Sequence, residues 1–138
     1  AADFAWGQSP YGPIQQAPAR QLLLTGSRAH FEDEGRWVSV HPELATGGVS
    51  WGWIKAFADS QRILDAQPLE QLDLPVLMML AAKERLVDNK AAIRVATRMA
   101  DCRTHVVPAA AHELLREAEP QLQEALGKIR SFALEVTG

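Results

Sequence analysis

An acidic residue and a histidine lie in two turns whose spacing could support nucleophilic catalysis. Glu84 follows an apolar run that ends at Leu80, and His112 follows a second apolar run that ends at Val107. A carboxylate can fix the tautomer of a neighbouring histidine, which then acts as a general base towards a hydroxyl nucleophile. The two residues are 28 positions apart, which leaves room for one helix and one strand. This order predicts an acid and a base that meet at one edge of a sheet.

The apolar pattern indicates the elements that must position these two residues. Val76 to Leu80 is a continuous apolar run, as in a buried parallel strand. Residues 89–99 have helical apolar spacing, and residues 105–107 predict a second, shorter strand. Strands joined by one crossover helix lie parallel, so their carboxyl ends share an edge where ligands bind. Residues 120–136 predict an amphipathic final helix. Its expected apolar stripe comprises Leu122, Leu126, Ile129, Phe132 and Ala133.

The first half of the chain predicts helices and loops without strands. It contains all four tryptophans and is rich in Gly, Pro and Gln. Ser27 and Ser50 are predicted N-caps of two helices, which end near Pro42 and Ala66. We therefore divide the chain into residues 1–68, a helical region, and residues 69–138, an α/β part.

Composition argues against several classes of protein. A net charge of −3 gives no electrostatic basis for binding nucleic acid. No apolar run reaches the roughly 18 residues that a membrane span needs, and the start of the chain lacks the pattern of a signal peptide. Cys102 is the only cysteine, so an internal disulfide and a cysteine metal cluster are excluded. The chain starts at Ala1 without a methionine, from which we expect a fragment of a longer protein.

Two turn motifs and one upstream segment carry a family resemblance. The motifs are Glu84-Arg85-Leu86-Val87-Asp88 and Ala109-Ala110-Ala111-His112. The segment comprises residues 28–31, 41–45 and 47–53. Together they resemble the bacterial lysophospholipase and monoacylglycerol lipase branch of the α/β-hydrolase superfamily, of the serine aminopeptidase S33 type. The resemblance runs from about residue 12 to the end of the chain. Ala109 departs from it, because the family usually has Gly there.

The resemblance implies an α/β fold and a set of site residues. The chain would be the C-terminal portion of an α/β-hydrolase: a helical cap or lid (residues 1–68), the last two parallel strands and their flanking helices. Glu84 would orient His112 in a Ser-Glu-His triad whose serine is absent from this chain. Asp88 is the alternative acid, although it is also a predicted N-cap. Trp51 and Trp53 either line the lipid site or pack within the cap.

The resemblance also implies the partners of the chain. These are the N-terminal half of the same hydrolase, which would carry the nucleophile, and an acyl-lipid ester as substrate. Self-association is a further expectation because two strands leave sheet edges open. No cofactor, metal or nucleic acid is implied. The single cysteine fits a cytoplasmic enzyme, and peripheral contact with a membrane is a further option. The alternative is a catalytically inactive fragment or a module that binds lipid or a protein partner.

Ser50 is a competing candidate for the nucleophile. Gly48-Val49-Ser50-Trp51-Gly52 matches the G-x-S-x-G pattern of the nucleophile elbow. That elbow needs a buried strand directly before the serine, whereas residues 41–47 lack a β-branched apolar run. The interval to Glu84 is also too short for the helices and strands that the fold requires. We therefore predict that Ser50 is a helix N-cap.

Overall fold

The computed structural model describes residues 3–13 and 15–138 as a chain of helices followed by an α/β unit. The helices of the first half are α1 (Pro18–Leu24), α2 (Arg28–Val40) and α3 (Trp51–Asp65). The second half contains β1 (Val76–Ala81), α4 (Asn89–Ala96), β2 (Cys102–Val107) and α5 (Glu119–Thr137). Short 3₁₀ helices lie at Pro42–Leu44, Leu69–Gln71 and Leu114–Arg116.

The strands β1 and β2 pair in parallel, as the sequence predicts. Their register runs from Val76 opposite Cys102 to Ala81 opposite Val107, so both strands end at the same edge. β2 starts three residues earlier than the apolar pattern predicts. The first residues of β2 are polar, so the pattern of hydrophobic side chains does not mark them as a strand. Their backbone groups nevertheless find hydrogen-bond partners in β1. Helix α4 ends at Ala96, before the predicted Met99, and residues 97–100 form turns.

Both α4 and α5 pack against the two strands. The innermost contact of α5 is Ala125, which is fully buried with Ala81, Val107 and Ala110. Within the predicted apolar stripe of α5, Leu122 and Phe132 are half-buried, whereas Leu126, Ile129 and Ala133 are exposed. At 3.6 residues per turn, Ala125 lies on the same helix face as Leu122 and Ile129, so the strands cover part of the stripe and leave the rest exposed.

The predicted N-caps of the first half are confirmed. The Ser27 hydroxyl accepts a hydrogen bond from the His30 amide at the start of α2, and the Ser50 hydroxyl accepts one from the Trp53 amide at the start of α3. Helix α3 has no buried residue. Its large apolar side chains are therefore exposed, namely Trp51, Trp53, Ile54, Phe57 and Ile63.

The helices of the first half contact the α/β unit around the loop that follows β2. The amides of His112 and Glu113 donate to the carbonyls of Leu23 and Leu24, at 3.3 and 2.8 Å. The C-terminal end of α1 thus lies against the predicted histidine turn. Across the described parts of the chain, no helix combines the length and hydrophobicity needed to cross a membrane.

Candidate active site

The loops after β1 and β2 are held together by backbone hydrogen bonds. The Ala82 amide donates to the Val107 carbonyl at 3.1 Å, and the Lys83 amide donates to the Ala110 carbonyl at 2.8 Å. These bonds continue the strand pairing beyond the sheet. The residues that follow, Glu84 in one loop and His112 in the other, are therefore brought to the same place.

Glu84 is fixed by its own turn. One carboxylate oxygen, Oε1, accepts hydrogen bonds from the amides of Arg85, Leu86 and Val87 at 2.9, 2.7 and 3.2 Å. The other oxygen, Oε2, is thereby directed towards the loop after β2. A single side chain closes the acid turn and presents one oxygen with a defined orientation.

His112 lies at that oxygen. Its Nδ1 is 2.8 Å from Glu84 Oε2. The Glu84 side chain is 5% exposed and the His112 side chain 35% exposed, so the acid lies behind a partly open imidazole. An ionised carboxylate can only accept, so Nδ1 carries the proton and neutral His112 keeps Nε2 as an acceptor. This tautomer can remove a proton from a hydroxyl group.

The pKa of Glu84 favours the ionised form. Burial of the carboxyl group raises its pKa, but hydrogen bonds from the Leu86 amide, His112 and the Val87 amide together outweigh burial. The result is a pKa below the ordinary value for glutamate. Glu84 is therefore a carboxylate at neutral pH, as a residue that orients a histidine must be.

Asp88 has a different position. Its side chain accepts a hydrogen bond from the Lys90 amide at 2.8 Å and caps the start of α4. Its other oxygen lies 3.7 Å from Arg94. These are the contacts of a helix N-cap, the role that the sequence also predicted for this residue.

The remaining histidines and the cysteine contact other groups. His30 Nδ1 lies near the carbonyls of Arg116 and Glu117, and His105 pairs with Glu124 at 2.8 Å. His41 lies 3.0 Å from Glu43. Burial and, to a lesser extent, the charge of Asp101 raise the pKa of the Cys102 thiol, which makes it a poor nucleophile.

Ser50 lies at the N-terminus of α3 and does not follow a strand. Residues 45–49 are irregular, and Ser50 itself forms only an isolated antiparallel bridge to Phe4. Its hydroxyl is occupied as acceptor from the Trp53 amide at 3.1 Å. The geometry is that of a helix cap and lacks the strand that a nucleophile elbow requires.

Replacing Ser50 by alanine should therefore affect stability rather than chemistry. We expect Ser50→Ala to reduce the free energy of unfolding of the natural full-length chain by about 1 kcal/mol, because α3 loses its N-cap. Urea unfolding checks this value. Ser60→Ala, inside the same helix, is the matched control and should change stability by less than about 0.5 kcal/mol. A change near zero for Ser50→Ala would contradict the capping role.

Ala109 at the start of the histidine turn has a left-handed backbone, with φ of 60°. A Cβ atom in this region costs about 1–2 kcal/mol, and glycine avoids that cost. Glycine also adds conformational entropy to the unfolded state, which offsets part of this gain. We therefore expect Ala109→Gly to raise the free energy of unfolding of the natural full-length chain by about 0.5–1 kcal/mol, as measured by urea unfolding. Ala45→Gly, at an ordinary φ of −67°, should destabilise instead. A loss of stability in both variants would contradict the strain at Ala109.

Trp51 and Trp53 lie on the open surface of the first half. Trp51 packs edge-to-face against Trp6 with 5.2 Å between ring centroids, and Trp53 stacks on Phe57 at 5.4 Å. A separate apolar cavity of about 480 Å³ lies between α1, the Gly47–Val49 segment and Leu86. Neither tryptophan lines that cavity. A substrate-binding role for the two tryptophans remains a prediction.

The cavity adjoins the Glu84–His112 pair through its walls. Leu86 donates its amide to the Glu84 carboxylate, and Leu23 and Leu24 accept from the amides of the histidine turn. The same residues thus hold the pair and line an apolar space. Within the described residues, no group of three or more His, Cys, Asp or Glu side chains is placed to bind a metal ion.

One residue of this region was not anticipated from the sequence. Glu117 is almost completely buried, at 1% exposure, and its Oε1 accepts a hydrogen bond from the Ala111 amide directly before His112. The sequence near it contains several glutamates, a pattern that is typical of a solvent-exposed helix face. The sequence feature that could have distinguished Glu117 is its position before Pro120, which places it in the turn that precedes α5 and not on the helix surface.

Comparison with known proteins agrees with this architecture. The structure superimposes on a soluble variant of monoglyceride lipase from Saccharomyces cerevisiae, in complex with a substrate analog, with a TM-score of 0.65 and 16% identity. It covers 91% of this chain and 42% of that one. The fold is thus the C-terminal part of an α/β-hydrolase. The profile of the serine aminopeptidase S33 family (Hydrolase_4) matches residues 12–119, so the chain belongs to this family.

A curated relative points to the same branch. The chain is 25% identical over 121 residues to the "Probable lysophospholipase L2" of Haemophilus influenzae (strain ATCC 51907 / DSM 11121 / KW20 / Rd). The match covers 88% of this chain and 38% of the relative. The chain therefore spans about two fifths of the length of each of these two proteins.

Proposed function

We propose that this chain is the C-terminal part of a serine ester hydrolase that acts on monoacyl lipids. The observation that carries the proposal is the contact between Glu84 Oε2 and His112 Nδ1, with Glu84 Oε1 held by three backbone amides. The names of the two relatives, a lysophospholipase and a monoglyceride lipase, support monoacyl lipids as the substrate class.

The reaction follows from the tautomer of His112. Nε2 accepts the proton of a serine hydroxyl as that oxygen attacks the acyl carbon, and Glu84 stabilises the imidazolium that forms. The same proton is then given to the leaving alcohol, and His112 activates a water molecule that hydrolyses the acyl-enzyme. The serine and the oxyanion hole come from the N-terminal part of the parent protein, which is the partner of this chain.

The acyl chain is expected in the apolar cavity beside the pair. Leu23, Leu24, Val49 and Leu86 give it an apolar wall, and a volume of about 480 Å³ lies in the range of ligand pockets in proteins. The catalytically inactive fragment or binding module is the second candidate, favoured by the exposed apolar side chains of α3.

The test is turnover by the full-length protein that contains this chain. We expect hydrolysis of a monoacylglycerol or a lysophospholipid, and at least a 10³-fold loss of kcat in His112→Ala. His105→Ala is the matched control and should keep activity within about twofold. An amino-acyl nitroanilide, assayed in parallel, tests the peptidase activity that the family name suggests. Lipid binding without turnover would favour the binding module and contradict the enzyme.

A further inference from the structure

A buried carboxylate lies behind the histidine turn and takes no part in the proposed chemistry. Glu117, at 1% exposure, is among the largest fully buried side chains of the described residues. It belongs to the turn between the Leu114–Arg116 3₁₀ helix and α5. Burying a carboxylate is costly unless each oxygen has a hydrogen-bond donor, so its partners indicate why it is there.

Among the residues that the structure describes, the hydrogen-bond donors to its carboxylate are all backbone amides. Oε1 accepts from the Ala111 amide at 2.6 Å, and Oε2 accepts from the Gly26 amide at 2.9 Å and the Ala118 amide at 3.0 Å. Hydrogen bonds to an ionised acceptor are roughly twice as strong as neutral ones. Ala111 is the residue before His112, so this hydrogen bond to a carboxylate acts one peptide away from the imidazole.

The other groups of this region bind the same two segments together. The Thr25 hydroxyl donates to the Arg116 carbonyl at 2.5 Å and accepts from the Ser27 amide at 2.9 Å. The Arg116 guanidinium donates to the His30 carbonyl at 2.5 Å. The segment between α1 and α2 is thereby attached to the turn that contains Glu117.

Both sides of His112 are therefore held. The amide before it, of Ala111, is held by the Glu117 carboxylate. The amides of His112 and Glu113 are held by the carbonyls of Leu23 and Leu24. Glu84 fixes the imidazole ring through Nδ1, while these bonds fix the backbone from which the imidazole extends.

We propose that Glu117 is a positioning residue for His112, acting through the Ala111 amide, and that it couples the segment between α1 and α2 to the catalytic base. This rests on the proposed function, in which His112 is that base. Catalysis needs the imidazole within a fraction of an ångström of the serine, and a displacement near 1 Å can cost about 10²-fold in rate. A carboxylate that fixes the histidine turn thus acts on kcat without touching the substrate.

Gly26 is the complementary part of this arrangement. A Cβ atom at this position would lie 2.9 Å from Glu117 Oε2, closer than real Cβ contacts. The absence of a side chain lets the Gly26 amide reach the buried carboxylate. Gly26→Ala therefore displaces Glu117 without removing its charge, and it gives a second, independent perturbation of the same contact.

The decisive variant is Glu117→Gln in the full-length protein. Both carboxylate oxygens accept from N–H groups, so the amide nitrogen of Gln would face a donor whichever way it turned. We expect kcat to fall about 10- to 100-fold with KM within about twofold. We also expect the NMR resonance of the His112 Nδ1 proton to shift or broaden. Gly26→Ala should change kcat and the resonance in the same direction.

The controls separate positioning from folding. Glu119→Gln makes the same chemical change two residues away on an exposed side chain and should leave kcat and the resonance unchanged. Gly12→Ala, whose Cβ would meet only the Pro10 carbonyl at 3.8 Å, is the control for Gly26→Ala. A folded Glu117→Gln or Gly26→Ala protein with wild-type kcat and a wild-type His112 resonance would overturn the proposal. Should the wild-type protein hydrolyse no ester, the proposed function fails, and the His112 resonance still decides whether Glu117 positions this turn.

Discussion

Replacing Glu84 by glutamine in the full-length protein should lower kcat about 10⁴-fold, with KM little changed. Three backbone amides donate to Glu84 Oε1, so a glutamine would direct its carbonyl oxygen towards them. Its NH₂ group would then face His112 Nδ1 and donate to it. Nδ1 would become the acceptor and Nε2 would carry the proton. That tautomer cannot accept a proton from serine, and the corresponding change in a serine protease costs about 10⁴-fold.

The matched control is Asp88→Asn, four residues along the same loop. Asparagine is as good an N-cap as aspartate, so α4 should keep its start and kcat should stay within about twofold. Steady-state kinetics with a short-chain nitrophenyl ester measures both variants. Loss of activity in Asp88→Asn together with wild-type activity in Glu84→Gln would transfer the acid role to Asp88. The pair of substitutions therefore decides between the two acids that the sequence offers.

The sequence predicts the Glu84–His112 pair better than it predicts the residues that hold this pair in place. Val76–Leu80 is apolar throughout and His112 follows a second apolar run, so topology alone places Glu84 and His112 at one sheet edge. The caps at Ser27 and Ser50 are equally local, because a hydroxyl that bonds an amide three residues on is visible in the sequence. Such features depend on neighbours along the chain or on one strand pairing.

The residues that hold the pair in place depend on contacts between segments that are distant in the sequence. Glu117 bonds Gly26, 91 positions away, and no periodicity distinguishes this glutamate from the exposed Glu119. The packed face of α5 is a similar case. Ala125 is its innermost residue, whereas Leu126 and Ile129 in the predicted stripe on the same face are exposed. Burial of a small residue follows from how closely a helix approaches a sheet, which is a tertiary property.

The 138-residue chain by itself should not hydrolyse a nitrophenyl ester above background, and it should self-associate. Within residues 3–13 and 15–138 the sheet has two strands, which leave the outer edges of β1 and β2 without strand neighbours. Unpaired edges and an apolar helix face are templates for association with other chains. Phe57 is 49% exposed and Ile63 is 63% exposed on α3, and α5 adds Leu134.

Sedimentation velocity and near-ultraviolet circular dichroism test this expectation, with four tryptophans as probes. Phe57→Lys should reduce self-association if the α3 face contributes to it, while Ala58→Lys adds the same charge to an exposed alanine beside that face and should have little effect. Adding the N-terminal part of the parent protein should give a 1:1 complex with sharp tryptophan bands and restored turnover, and Ser50→Ala should leave that turnover intact. A monomer of the 138-residue chain with sharp tryptophan bands and cooperative unfolding would contradict the expectation. It would mean that the two strands and their helices cover enough apolar surface to be a complete domain, and the proposed partner would then be unnecessary for folding.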